Sequence, residues 1–163
     1  MTPPIQNSNS PFTAIHLAVE RCRAGDENRL LFRMKSGFAV LFVDQVLPGY
    51  CMLLPDPVVG QLNDLSGVAR ADFFADMAIL GDAVLAVTNC RRINYEILGN
   101  VEPALHAHVI PRYADEVPEL RTRPIWFYDF AAAPKFDPVI HAPLQRSLIA
   151  KLKSLCRTIP ERA

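Results

Sequence analysis

Across residues 69–88, apolar side chains recur at steps of three and four: Phe73, Met77, Leu80, Val84 and Val87 form one stripe. Arg70, Asp72, Asp76 and Asp82 fall largely off it. That spacing predicts the main helix of the chain. Upstream the pattern changes. Two short apolar runs, 30–34 and 38–43, are separated by Lys35-Ser36-Gly37, which reads as a β-hairpin. Residues 44–49 form a loop. A third strand, 50–54, is stopped by Pro55 and Pro57, because proline gives no donor to a ladder. Beyond the helix, 92–98 and 105–110 read as two further strands, joined by Gly99-Asn100-Val101-Glu102-Pro103.

The ends are simpler. Residues 1–12 are rich in Pro, Ser and Asn and read as a loose arm. Thr13 is a helix N-cap, followed by a short helix over 14–23 with Ile15, Ala18, Val19 and Cys22 on one side, ended by Gly25. After residue 110 the chain is Pro-rich and irregular until 139–155, a closing helix broken near Pro143. There is no internal repeat and no linker, so 13–163 reads as a single domain. The expected class is α+β: an antiparallel sheet of about five strands, one long helix and a shorter C-terminal helix.

Composition narrows the function classes. The chain has 163 residues, half of them hydrophobic and 21% charged, enough for one real core. Seventeen basic residues balance seventeen acidic ones, which argues against bulk binding to nucleic acid or to an anionic membrane. No apolar run approaches the ~18–20 residues of a membrane span. The start lacks the basic and then apolar pattern of a secretory signal. The four cysteines are far apart with no CxxC pair, as expected of free thiols in a reducing compartment. A soluble, cytoplasmic protein is the expectation.

The chemistry centres on His106-Ala107-His108. In a strand, alternate residues share a face, so both rings project from one side while Leu105, Ala107 and Val109 face the other. Two imidazoles about 6–7 Å apart along the backbone can divide labour: one is a nucleophile, the other binds or protonates a leaving oxygen. The same pair can equally hold a metal ion with a third ligand from elsewhere. No Walker-type glycine loop occurs, so any phosphate must be held by turn amides and side chains. Basic residues do not interleave with aromatics as single-strand binders require.

The run from Asn94 to Arg112, NYEILGNVEPALHAHVIPR, resembles the signature of the histidine triad superfamily. That signature is H-x-H-x-H, then two apolar residues, commonly Pro-Arg, with a polar turn upstream. His106 and His108 match the second and third histidines, and Ala104 stands at the first. Asp44-Gln45 and Pro48-Gly49-Tyr50 look like the family's first nucleotide-binding segment. Arg123-Pro124-Ile125-Trp126 is similar to the C-terminal part of some bacterial members.

The resemblance implies a histidine-triad-like fold, a homodimer and a nucleotide substrate, with no cofactor and no metal in the covalent step. It implies a hydrolase or nucleotidyltransferase acting on the α-phosphate of a dinucleoside polyphosphate or nucleoside phosphoramidate. His106 would attack phosphorus and form a transient nucleotidyl-histidine, and His108 would contact phosphate and leaving group. The nucleophile's far nitrogen is held in the family by a main-chain carbonyl, which an alanine at 104 retains. What Ala104 removes is a polar side chain from the phosphate network, a loss that commonly costs ~10²-fold or more in rate. A nucleotide-binding relative without turnover is the alternative. Asn100, Asn94 and Arg112 are further candidates for phosphate, and Asp44 for the ribose hydroxyls. Tyr50 takes the place of a further histidine, within reach of the pair. Phe38, Phe42 and Leu53 are candidates for a slot around the base.

Overall fold

The computed structural model describes residues 12–158, so nearly all of the expected arm over 1–12 lies outside the described residues. Helix α1 (Ala14–Ala24) is followed by strands β1 (Leu30–Arg33), β2 (Gly37–Leu41) and β3 (Cys51–Pro55). The long α2 (Gly67–Thr88) leads to β4 (Arg92–Glu96) and β5 (Ala107–Arg112). A single turn, α3 (Pro118–Arg121), precedes the closing α4 (Ala142–Thr158). The five strands form one sheet in the order β1-β2-β3-β5-β4, every neighbouring pair antiparallel. The α+β expectation and the strand count hold.

Local chemistry sets the boundaries. Thr13 caps α1 and Gly25 ends it at φ 78°, a left-handed angle that glycine adopts without strain. Ser66 caps α2, accepting from the Ala69 N–H. The hairpin between β1 and β2 is secured from below: the Asp76 carboxylate accepts from the Ser36 N–H at 2.6 Å and its hydroxyl at 2.7 Å. Asp76 is therefore buried, although the apolar stripe of α2 gives no reason for it. At Gly37 a Cβ would stand 1.9 Å from the Leu54 carbonyl oxygen, so only glycine allows β2 and β3 to pair there. Pro143 does not break the last helix. It sits in the first turn of α4, where its missing N–H costs nothing.

The two faces of the sheet are treated differently. Helices α2 and α4 cover one, packing Phe73, Leu80, Val84, Leu148 and Leu152 onto Leu41, Leu53, Ala107 and Val109. On the other face α1 covers one end, with Ile15, Ala18, Val19 and Cys22 against Phe38, Val40, Met52, Leu54 and Ala104. A third cluster of Leu47, Tyr50, Ile110 and Ile125 closes the opposite end. Between these clusters the sheet is open. Among the described residues no helix is long and apolar enough to cross a membrane.

Candidate functional site

The open part of the sheet is the floor of a cleft of about 950 Å³. Strand alternation delivers its floor. His108 lies opposite Met52 on one side and Glu96 on the other, and Met52 lies opposite Val40. Directly paired residues of an antiparallel sheet share a face, so Val40, Met52, His108 and Glu96 make one row across it. His106 falls on the same side, while Ala107 and Val109 are buried under the helices. The walls are α1 through Ile15 and Ala18, the turn at Asn100 to Glu102, and Trp126 and Phe136.

His106 is held from behind: its Nδ1 lies 2.7 Å from the Ala104 carbonyl oxygen. A carbonyl only accepts, so Nδ1 is the donor, and in the neutral ring Nε2 is the nitrogen with the lone pair. The 104 segment is itself fastened to α1. One oxygen of Glu102 accepts from the Ala104 N–H and the other from the Ala14 N–H, both at 3.2 Å. That carboxylate sits at the N-terminus of α1, where the helix dipole favours negative charge.

His108 is enclosed by aromatic rings. The Tyr50 hydroxyl is 2.8 Å from its Nδ1. The rings of Trp126 at 5.3 Å, Phe42 at 5.8 Å and His106 at 4.8 Å all meet it edge to face. Burial, and then the neighbouring His106, push its pKa down to about 4, so this ring is neutral at pH 7. Burial also raises the Tyr50 phenol above its ordinary value, which keeps its proton in place. The Trp126 indole N–H donates to Glu96 at 2.5 Å, fixing the tryptophan over the histidine.

The far end of the cleft is charged. Glu27 is 7% exposed; the Arg29 guanidinium donates to both its oxygens at 2.8 Å, and Arg21 stands 3.1 Å away. Burial alone would raise this carboxyl, but the Arg29 hydrogen bonds and charge, with Arg21, hold it below the usual range.

The candidates read from sequence scatter over three places. His106, His108 and Asn100 line the cleft together. Asp44 does not; it is ion-paired with Lys135, beside a backbone bridge between the same two residues, while its neighbour Val43 reaches the wall. Asn94 and Arg112 lie in a separate groove at the other end of the same face. Arg112 is buried with its guanidinium bonded to Glu116 and to the carbonyls of Leu120, Arg121 and Arg123. Phe42 lines the cleft, Phe38 packs under α1, and Leu53 belongs to the core beneath α2, facing away from the site. Among the described residues no group of three or more His, Cys, Asp or Glu is placed to hold a metal ion. Sequence reading missed the α1 wall, the Glu27–Arg29 pair and the Glu96–Trp126 bond. The single tryptophan beside the resemblance at Arg123-Pro124-Ile125 was the signal for the last.

No family model matches the chain. Over 90 residues it is 26% identical to the asymmetrical bis(5'-nucleosyl)-tetraphosphatase of Schizosaccharomyces pombe, a stretch covering 52% of this chain and 50% of that protein. The chain thus spans about half the length of that curated relative. A histidine triad protein from Bradyrhizobium japonicum superimposes with a TM-score of 0.67 at 22% identity, over 77% of this chain and 92% of the other. A hypothetical histidine triad nucleotide-binding protein from Sulfolobus tokodaii does so with a TM-score of 0.68 at 14% identity, over 89% and 97%. With strand order, helix placement and the His106–His108 floor already in view, these matches identify the architecture: the chain has the fold of the histidine triad proteins.

Proposed function

We propose that the protein is a nucleotide hydrolase or nucleotidyltransferase that works through a nucleotidyl-histidine on His106. The observation that carries this reading is the 2.7 Å bond from His106 Nδ1 to the Ala104 carbonyl, at the floor of a cleft large enough for a nucleotide. In the neutral ring this bond makes Nε2 the nucleophile. The likeness to a tetraphosphatase and to a nucleotide-binding protein supports the substrate class.

In the first step the Nε2 lone pair of His106 attacks the α-phosphorus, and the bond to the leaving group breaks with its electron pair. The positive charge that appears on the imidazole is stabilised through Nδ1–H by the Ala104 carbonyl. With the Tyr50 hydroxyl donating to Nδ1 of His108, the Nε2–H of His108 donates to the oxygens that gain charge. A donor so placed is worth about 10²–10³ in rate. A phosphate leaving group departs as the anion, and an amine takes a proton from solvent water. Water then attacks phosphorus, the P–Nε2 bond breaks, the electron pair returns to the ring and a proton is released to solvent.

Two features favour a second reading, a binding module with little turnover. Ala104, at the position the resemblance gives to the first histidine, is 3% exposed, and its methyl packs in the α1 cluster rather than facing phosphate. Asp44, the ribose candidate, is engaged by Lys135. The two readings are separated by intact-mass analysis after mixing the chain with a dinucleoside tetraphosphate or a nucleoside phosphoramidate. The enzyme gives product, or a protein carrying one nucleotidyl group that disappears in His106→Ala. Retention of ligand without product or adduct selects the module. A homodimer belongs to the same proposal and is read from the mass in solution by light scattering.

A further inference from the structure

The charged end of the cleft carries polar groups that the proposed chemistry does not use. Arg29 lines it with only 15% of its side chain exposed. Its Nε and Nη2 donate to the two oxygens of Glu27 at 2.8 Å, while Nη1 has no hydrogen-bond partner among the described residues. Glu27 is buried and Arg21 also stands 3.1 Å from it, so both its oxygens are taken. Asp26 lines the same end and is exposed. Among the described residues its carboxylate has no ion pair. One donor and one acceptor are thus left over side by side.

Between this end and the histidines the cleft is apolar. Ile15 and Ala18 of α1 line it together with Val40, Met52 and Leu54 of the sheet, and a flat ring system is held in such a gap by burial. The length suits one nucleotide. Leu30 pairs with Val40, Val40 with Met52 and Met52 with His108, so β1 and His108 stand about 14 Å apart by three strand spacings. Arg29 adjoins β1, its carbonyl accepting from the Leu41 N–H at 2.9 Å. The side chains of His106 and Arg29 take up part of that span; phosphate, ribose and base fill the rest.

A phosphate at His106 therefore places the base at the α1 end, with its outer edge towards Arg29 and Asp26. A guanidinium nitrogen only donates and a carboxylate only accepts. A purine with a carbonyl at C6 brings the acceptor O6 to the guanidinium, and guanine adds N1–H and the 2-amino group as donors to the carboxylate. Adenine carries an amino group where O6 stands, which sets donor against donor. A site that holds a polar group for one partner discriminates strongly against the analogue that leaves it unpaired.

We infer that the cleft is selective for guanine nucleotides, with Arg29 Nη1 donating to O6 of the base and Asp26 accepting from its N1–H and 2-amino group. Glu27 is then a positioning residue that fixes the guanidinium plane of Arg29. The inference rests on the nucleotide reading above and adds the base to it.

The test is a calorimetric titration of the native full-length chain with the 5′-monophosphates of guanosine, inosine and adenosine. The guanosine compound is expected to bind at least about tenfold more tightly than the adenosine one. The inosine compound, which keeps O6 and lacks the 2-amino group, is expected to fall between them. Arg29→Met combined with Glu27→Gln, which leaves no buried carboxylate unpaired, is expected to bring the guanosine and inosine compounds down to the affinity of the adenosine one. A merely structural role would instead weaken all three together. Asp26→Asn, at an exposed position, is expected to erase the margin of guanosine over inosine, and it keeps the inference falsifiable if the double variant fails to fold. Equal binding of all three by the native chain, or a margin that survives these variants, overturns the inference and leaves the nucleotide reading standing. Binding of none of the three overturns both.

Discussion

Restoring a histidine at position 104 is the substitution the motif invites, and the structure argues that it will harm the protein. Ala104 is closed in by Ile15, Ala18, Val19 and Cys22 of α1 on one side and by Val40, Met52 and Leu54 of the sheet on the other. An imidazole there adds volume to a closed apolar cluster, which costs about 1–3 kcal/mol. It also brings ring nitrogens into an apolar cluster, and each one left without a partner costs about 1–3 kcal/mol. The smallest combination is about 2 kcal/mol, or roughly 4–8 °C in Tm for a domain of this size. Ala104→His is therefore expected to lower Tm by at least that amount and to leave turnover no higher than native, because α1 holds the ground a histidine would need. Thermal unfolding followed by circular dichroism, with initial rates on a dinucleoside tetraphosphate, reads both. An unchanged Tm together with a sharply raised rate would refute the packing argument and show that α1 yields.

Other consequences are more direct. Tyr50→Phe removes the partner of His108 Nδ1; kcat is expected to fall at least about tenfold with KM little changed, and an unchanged kcat in steady-state assays would count against the assigned tautomer. His108 takes a proton near pH 4 in the native state against 6.5 when unfolded, so the unfolded chain binds more protons between those values. Stability from this ring is complete above about 6.5 and falls by about 3 kcal/mol as the pH drops towards 4; denaturant midpoints across that window should show a loss that His108→Asn abolishes. Arg112→Ala leaves the Glu116 carboxylate, 2% exposed at its side chain, without its ion pair and is expected to cost about 3–5 kcal/mol, much of it recovered by Glu116→Gln in the same chain, as read by urea unfolding.

The parts legible in the sequence are those where one short-range pattern decides. The stripe of α2, the hairpin at Lys35-Ser36-Gly37 and the shared face of His106 and His108 all follow from periodicity, and the structure agrees with each. The Ala104 carbonyl behind His106 and the Tyr50 hydroxyl beside His108 followed from the motif. What was not legible depends on distant segments meeting. Arg112 follows the histidines in sequence and looks like a phosphate ligand, yet Glu116 and the carbonyls of Leu120, Arg121 and Arg123 claim it. Asp44 has the right chemistry for a ribose, but Lys135, 91 residues away, reaches it. Asp76 is buried because Ser36 needs an acceptor, and nothing local to α2 announces that need.

Glu102 joins two things that a ligand would prefer to find independent. Its carboxylate grips the first turn of α1 and the residue whose carbonyl orients His106. Movement of the helix is therefore coupled to the 104 segment. An outward excursion of α1 would pull on the segment whose carbonyl orients His106, so the width of the cleft and the aim of that ring are coupled through the same two hydrogen bonds.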